Sequence, residues 1–160
     1  MEKTQYRVVI PEEKFGGFEF IQDDLPGIAS VNVALTDFEP MVVFGWHLSL
    51  LIQYQDHVKN ELPSRAEQDI LYEFEDYLQP LIKDKGNGLF LARVTQGGNR
   101  ELIWRIHKPE IANEVLRSIM NTKKSLRPID YRIDPDKNWD KAKWYLDGSN
   151  SQPGHARGLF

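Results

Sequence analysis

Gly88-Leu-Phe-Leu-Ala-Arg-Val-Thr-Gln-Gly-Gly-Asn-Arg-Glu-Leu-Ile-Trp-Arg-Ile-His107 is the stretch that decides the fold. Two apolar-rich runs flank a glycine turn, which is the signature of a β-hairpin. Phe90, Ala92 and Val94 alternate on the first run, and Leu102, Trp104 and Ile106 on the second. Side chains alternate with period two, so these sets share a face only if paired residue numbers have an even sum. A three-residue loop, Gly97-Gly98-Asn99, meets that condition where loops of two or four do not, and its residues tolerate positive φ. The reading leaves one greasy face and one mixed face carrying Arg93, Thr95, Arg105 and His107.

Upstream, Val42–Tyr54 alternates cleanly, with Trp46, Leu48, Leu50, Ile52 and Tyr54 on one side and His47, Ser49, Leu51 and Gln53 on the other. That period is a strand's. Ser64 and Glu67 form an S-x-x-E capping box at the start of a helix whose stripe is Ile70, Leu71, Phe74, Tyr77, Leu78, Leu81 and Ile82. Pro80 within that stripe predicts a kink or an end near Gln79. Downstream, Pro109 opens a second helix with Ile111, Ala112, Val115, Leu116, Ile119 and Met120 inward. Pro128–Asp134 reads as a strand, and Asp136 caps a short third helix carrying Trp139, Ala142, Tyr145 and Leu146.

From residue 42 the order is strand, helix, strand, strand, helix, strand. This is the ferredoxin-like split βαβ arrangement of the α+β class, an antiparallel sheet with two helices on one face. Strand-like runs at Gln5–Ile10, Phe18–Ile21 and Ser30–Leu35 add extra N-terminal strands, and the short C-terminal helix completes the unit. Residues 1–147 are expected to form a single domain. The Gly-, Ser- and Gln-rich 148–160 are expected to be a flexible tail.

Composition narrows the function. A chain of 160 residues, 41% hydrophobic and 28% charged, builds one core without staples. It has no cysteine, which excludes disulfides, thiol nucleophiles and cysteine-held metals. His47, His57, His107 and His155 have no H-x-x-x-H spacing, so no metal site and no cofactor are expected. A net charge of −4 does not favour nucleic acid as a partner. No run is long enough to span a bilayer, and Met1–Tyr6 lacks the apolar core of a signal peptide. A cytoplasmic protein of bacterial style is the expectation, and an edge strand can pair two copies as a homodimer.

The mixed sheet face carries His47, Ser49, Arg93, Arg105, His107 and Arg132, with Asp130 and Asp134 beside them. Three readings stand. The face is a wet surface, as antiparallel sheets often have. It is a binding face, where arginine forks hold an acidic protein partner. Or it is catalytic, with His47, Ser49, His107 and the arginines serving a small hydrolase or an anion-binding enzyme. No nucleophile elbow or glycine-rich donor loop accompanies Ser49, so no catalytic residue is assigned. Trp46, Tyr54, Trp104 and Tyr131 fall on the greasy side, which argues against base stacking on RNA. The leading expectation is a non-enzymatic protein-binding or regulatory module.

Three segments together resemble a known family. These are Leu48-Ser-Leu-Leu-Ile-Gln-Tyr54 with Glu73-Phe-Glu-Asp-Tyr-Leu78, then Ala92–Trp104, then Tyr131-Arg-Ile-Asp-Pro-Asp-Lys-Asn-Trp-Asp140. They resemble the bacterial family known as domain of unknown function 695, over roughly residues 26 to 146. That resemblance brings no catalytic residues with it. A fainter similarity, in the strand–Asp-x-x-Trp ending, is to the regulator of ribonuclease E activity of the B type, and it implies a protein-binding inhibitor of an RNA-processing enzyme.

Overall fold

The structure, a computed structural model, describes residues 7–151. Within them the chain runs β1 (Phe15–Gln22), β2 (Leu25–Asn32), β3 (Trp46–Gln53), α1 (Arg65–Ile82), β4 (Gly88–Gln96), β5 (Asn99–Ile106), α2 (Pro109–Asn121), β6 (Ile129–Pro135) and α3 (Lys143–Ser151). The six strands form one antiparallel sheet in the order β1-β2-β4-β5-β3-β6. β5 lies between β3 and β4, the two strands that α1 connects, so the α+β unit has split βαβ connectivity. The N-terminal pair β1–β2 lengthens the sheet beside β4 and leaves both faces of the unit for other segments to cover.

The hairpin is made differently from its predicted loop. Gln96 pairs with Asn99, so the turn is the two residues Gly97 and Gly98, at φ +58° and +90°. Positive φ at both positions matches the right-handed twist of the strands. Paired numbers near the tip sum to an odd total, Arg93 with Leu102 and Thr95 with Arg100. Beyond a bulge at Leu91 the total becomes even, and Phe90 meets Trp104. The bulge restores the expected match for Phe90 alone. Ala92 pairs with Ile103 and Val94 with Glu101, so both lie on the second face and not with Leu102, Trp104 and Ile106 as the parity argument required. The consequence is local. Arg93 and Thr95 turn to the opposite face from Arg105.

One face is covered by helices. Leu48, Leu50 and Ile52 of β3, with Leu102 and Trp104 of β5, meet Leu71, Phe74 and Leu78 of α1 and Leu116 and Ile119 of α2. Ser64 Oγ accepts from the Glu67 amide at 3.2 Å, as the capping pattern predicts. The Glu67 carboxylate does not return to the cap. It accepts from Arg127 at 2.6 and 2.7 Å and from the Gln55 amide at 3.1 Å, tying three segments together. α1 passes Pro80 and ends at Ile82. The proline stands in the last turn, where one missing N–H removes a single bond.

The other face is covered by irregular chain together with the short helix α3. Ala29, Val31, Leu91 and Ile103 pack beneath Phe38 and Phe44 from the β2–β3 connection and beneath Trp139, Ala142 and Leu146. That connection was read as strand at both ends. It is instead two 3₁₀ turns, Val33–Leu35 and Met41–Phe44, that fold over the sheet. Arg7–Lys14 hold no regular element, and the start of the run expected at Gln5–Ile10 lies outside the described residues. α3 continues past Asp147 to Ser151, while residues 152–160 of the expected tail also lie outside them.

Candidate functional site

The register sets polar residues in rows across the second face. Directly opposed residues point the same way, so Arg105, His47 and Asp134 form one row, Ile103, Ser49 and Arg132 the next, and Glu101, Leu51 and Asp130 the third. Five of the six candidate residues therefore lie on this side of the sheet or beside it, with His107 following β5. The sixth, Arg93, lies beneath α1. There Arg93 Nε donates to Glu75 Oε1 at 2.6 Å and Nη2 to Oε2, and its guanidinium sits 5.2 Å from the Tyr72 ring.

The Arg105 row is closed. Arg105 is fully buried, donates from Nη1 to Asp136 Oδ2 at 2.9 Å and from Nη2 to the Asp136 carbonyl at 2.6 Å, and lies 4.8 Å over the Trp139 ring. Asp136 in turn accepts from the amides of Asp140 and Lys141 at 3.0 and 2.9 Å. It is not the N-cap expected of it, because α3 starts only at Lys143 and leaves Trp139 and Ala142 outside the helix. Its carboxylate instead holds two amides of the 3₁₀ turn Asp140–Ala142 and is the counterion of Arg105. Trp139 adopts φ +61°, which aims its ring back over the sheet. Its indole N–H donates to the carbonyls of Met41 and Phe44, and the ring stacks on Phe38 at 5.5 Å. One tryptophan thus binds both covering segments to one arginine.

His47 belongs to that cluster. Its Nδ1 lies 2.9 Å from Arg105 Nη1. A guanidinium only donates, so Nδ1 is the acceptor and the ring proton is on Nε2. Burial, then the Arg105 charge, lowers its pKa to about 4, and the ring is neutral at pH 7. Ser49 Oγ donates to Glu101 Oε2. His107 is exposed, with Nδ1 at 2.7 Å from the Val43 carbonyl. Arg132 is exposed and pairs with Asp134 at 3.3 Å.

The Glu101 row opens into a cleft of about 340 Å³ at the hairpin end of the face. Val94, Glu101 and Leu51 form its floor, Phe20 and Gln22 of β1 one wall, and Trp144 and Tyr145 of α3 the other. Trp144 is 52% exposed and meets Phe18, Phe20 and Tyr145 edge to face at 5.2, 5.5 and 5.0 Å. Burial, then the nearby Glu101 charge, pushes the Tyr145 hydroxyl well above its ordinary pKa. Neither Glu101 nor Trp144 stands out in the sequence. The available signal is a Trp-Tyr pair in a short helix whose apolar stripe needs only the tyrosine.

Among the described residues no cluster of three metal-ligating side chains occurs, and no helix is long and apolar enough to cross a membrane. Compared with known proteins, residues 20–147 match a family model described as a family of unknown function, DUF695. No curated protein and no solved structure matches the chain, and nothing in these comparisons supports the fainter likeness to the ribonuclease E regulator.

Proposed function

The chain belongs to the DUF695 family, a membership that carries no activity, and from that premise we propose that it is a non-enzymatic, cytoplasmic binding module that regulates a protein partner. The observation that carries this reading is how the catalytic-type side chains are used. Ser49 donates its hydrogen bond to Glu101, and the lone pair a general base would need, His47 Nδ1, accepts from Arg105. Nucleophilic catalysis requires the serine and histidine to bond to each other. The exposed feature of the same face is an aromatic-walled cleft, and half-exposed tryptophan and tyrosine are the side chains that most often anchor protein interfaces. Arg132 and His107, both exposed, stand elsewhere on this side of the molecule and are candidate peripheral contacts.

Cross-linked affinity capture from the source cells tests the reading. The wild-type chain and His47→Gln should retain the same partner, and Trp144→Ala should lose it. Retention by Trp144→Ala together with loss in His47→Gln would move the site to the buried cluster and overturn the reading.

A further inference from the structure

We infer that the cleft beside Glu101 receives a cationic side chain, a lysine or arginine projecting from the partner protein. The inference rests on the binding-module reading and adds to it the chemistry of the contact. Glu101 is half-buried, and among the described residues the one hydrogen bond to its carboxylate is from the neutral hydroxyl of Ser49. Among the described residues no lysine, arginine or histidine lies within ion-pair distance of it. The nearest cation on that face by register is Arg132, one row on and across β3, and its guanidinium is turned to Asp134. Beyond Leu51 the same row ends in a second carboxylate, Asp130. Asp130 lies outside the lining of the cleft, so the floor carries the single carboxylate of Glu101, which repels a carboxylate or phosphate.

The walls supply the rest. Trp144, Tyr145 and Phe20 present ring surface around that carboxylate. Aromatic rings attract cations through their quadrupole, most strongly at tryptophan. A neutral apolar occupant would strip water from Glu101 and return no charge, which is costly. A lysine or arginine answers both surfaces at once. Its methylene stem lies along the exposed Leu51 and Trp144, and its charged head reaches Glu101. The cleft has room for one such side chain, and its open mouth suits a residue on a protein surface better than an enclosed small molecule.

The test is a titration of the ¹⁵N-labelled full chain with blocked five-residue peptides, four glycines around a central lysine, arginine, norleucine or glutamate. The Trp144 indole resonance is followed. Lysine and arginine peptides should shift it saturably, with norleucine and glutamate peptides at least about tenfold weaker. Glu101→Gln, which keeps an acceptor for Ser49, should weaken the basic peptides by about tenfold. Leu51→Lys places a competing ammonium beside Glu101 from an exposed position and should block them without touching the core. Equal binding of norleucine, or no effect of Glu101→Gln in a chain with an unchanged amide spectrum, overturns the inference while the Trp144-dependent capture still stands. Absence of any saturable shift overturns it as well, and loss of the Trp144 dependence in capture then separately removes the module reading.

Discussion

The two faces of the sheet are closed in different ways. On one, apolar side chains meet two amphipathic helices, and the fit follows from volume and period. On the other, two irregular segments are laid over the strands and pinned by a guanidinium, a carboxylate, an imidazole and a tryptophan. Irregular chain has no repeating stripe to fix its position, and its backbone groups need partners. A buried charge with forked donors does both tasks, and its counterion Asp136 shows it by accepting from two backbone amides as well as from Arg105. The lesson is that a polar sheet face need not be a site. Here its central part is a clamp, and the hairpin end opens into a cleft.

That comparison can be broken by substitution. The largest effect is expected at Arg105. Arg105→Ala strands Asp136 and should cost about 3–5 kcal/mol in denaturant unfolding, as much as Leu50→Ala on the helix face, about 2–5 kcal/mol. An Arg105→Ala loss below about 1 kcal/mol would show that the second face is not clamped at all.

Next in size is a pH effect confined to the clamp. The His47 pKa is about 4 in the fold against an ordinary 6.5, so the unfolded chain takes up this proton first as pH falls. The stability from this group is therefore complete above pH 6.5 and declines down to about pH 4, by about 3 kcal/mol in all. Arg105 and Lys141 push in that direction, while Asp136 and Asp134 oppose it. Unfolding free energies measured across this window should lose most of that slope in His47→Gln. A slope unchanged by the substitution would assign it to carboxylates elsewhere.

The smallest effect belongs to the helix face. Ser64→Ala removes one cap bond and should cost about 1 kcal/mol by thermal or chemical unfolding. Because Glu67 is engaged with Arg127 and not with the cap, Glu67→Gln should exceed Ser64→Ala. The reverse order would restore the capping box.

Most of the sheet and both long helices are legible in the sequence, because their spacing is periodic. Trp46 to Tyr54 shows its strand by alternation, and Pro109 and Ser64 mark helix starts by backbone chemistry. The bulge at Leu91 is not legible. An extra leucine in an apolar strand looks like any other, and parity can be restored by a longer loop as readily as by a bulge. The two-residue turn pairs Arg93 with Leu102 and the bulge brings Phe90 back to the same face, so one arginine of the predicted set falls beneath α1 while Arg105, His47 and Ser49, paired away from the bulge, fall as the period requires. The cover over the second face was hidden for another reason. Its 3₁₀ turns at Val33–Leu35 and Met41–Phe44 carry the alternation of short strands, and the second is held by Trp139 from far along the chain. The Glu101 cleft depends in turn on Trp144 and Tyr145, far along the chain, so neither segment marks it alone.

Two indole protons report separately on the closed and the open parts of this face. Trp139 N–H is held by the carbonyls of Met41 and Phe44 inside the clamp, and Trp144 lines the cleft. In one ¹⁵N spectrum recorded as a lysine-bearing peptide is added, the Trp144 indole and the amides of Phe20, Leu51 and Glu101 should move while the Trp139 indole stays in place. Movement of the Trp139 indole and the Arg105 guanidinium signals with Trp144 unmoved would contradict the assignment of clamp and site.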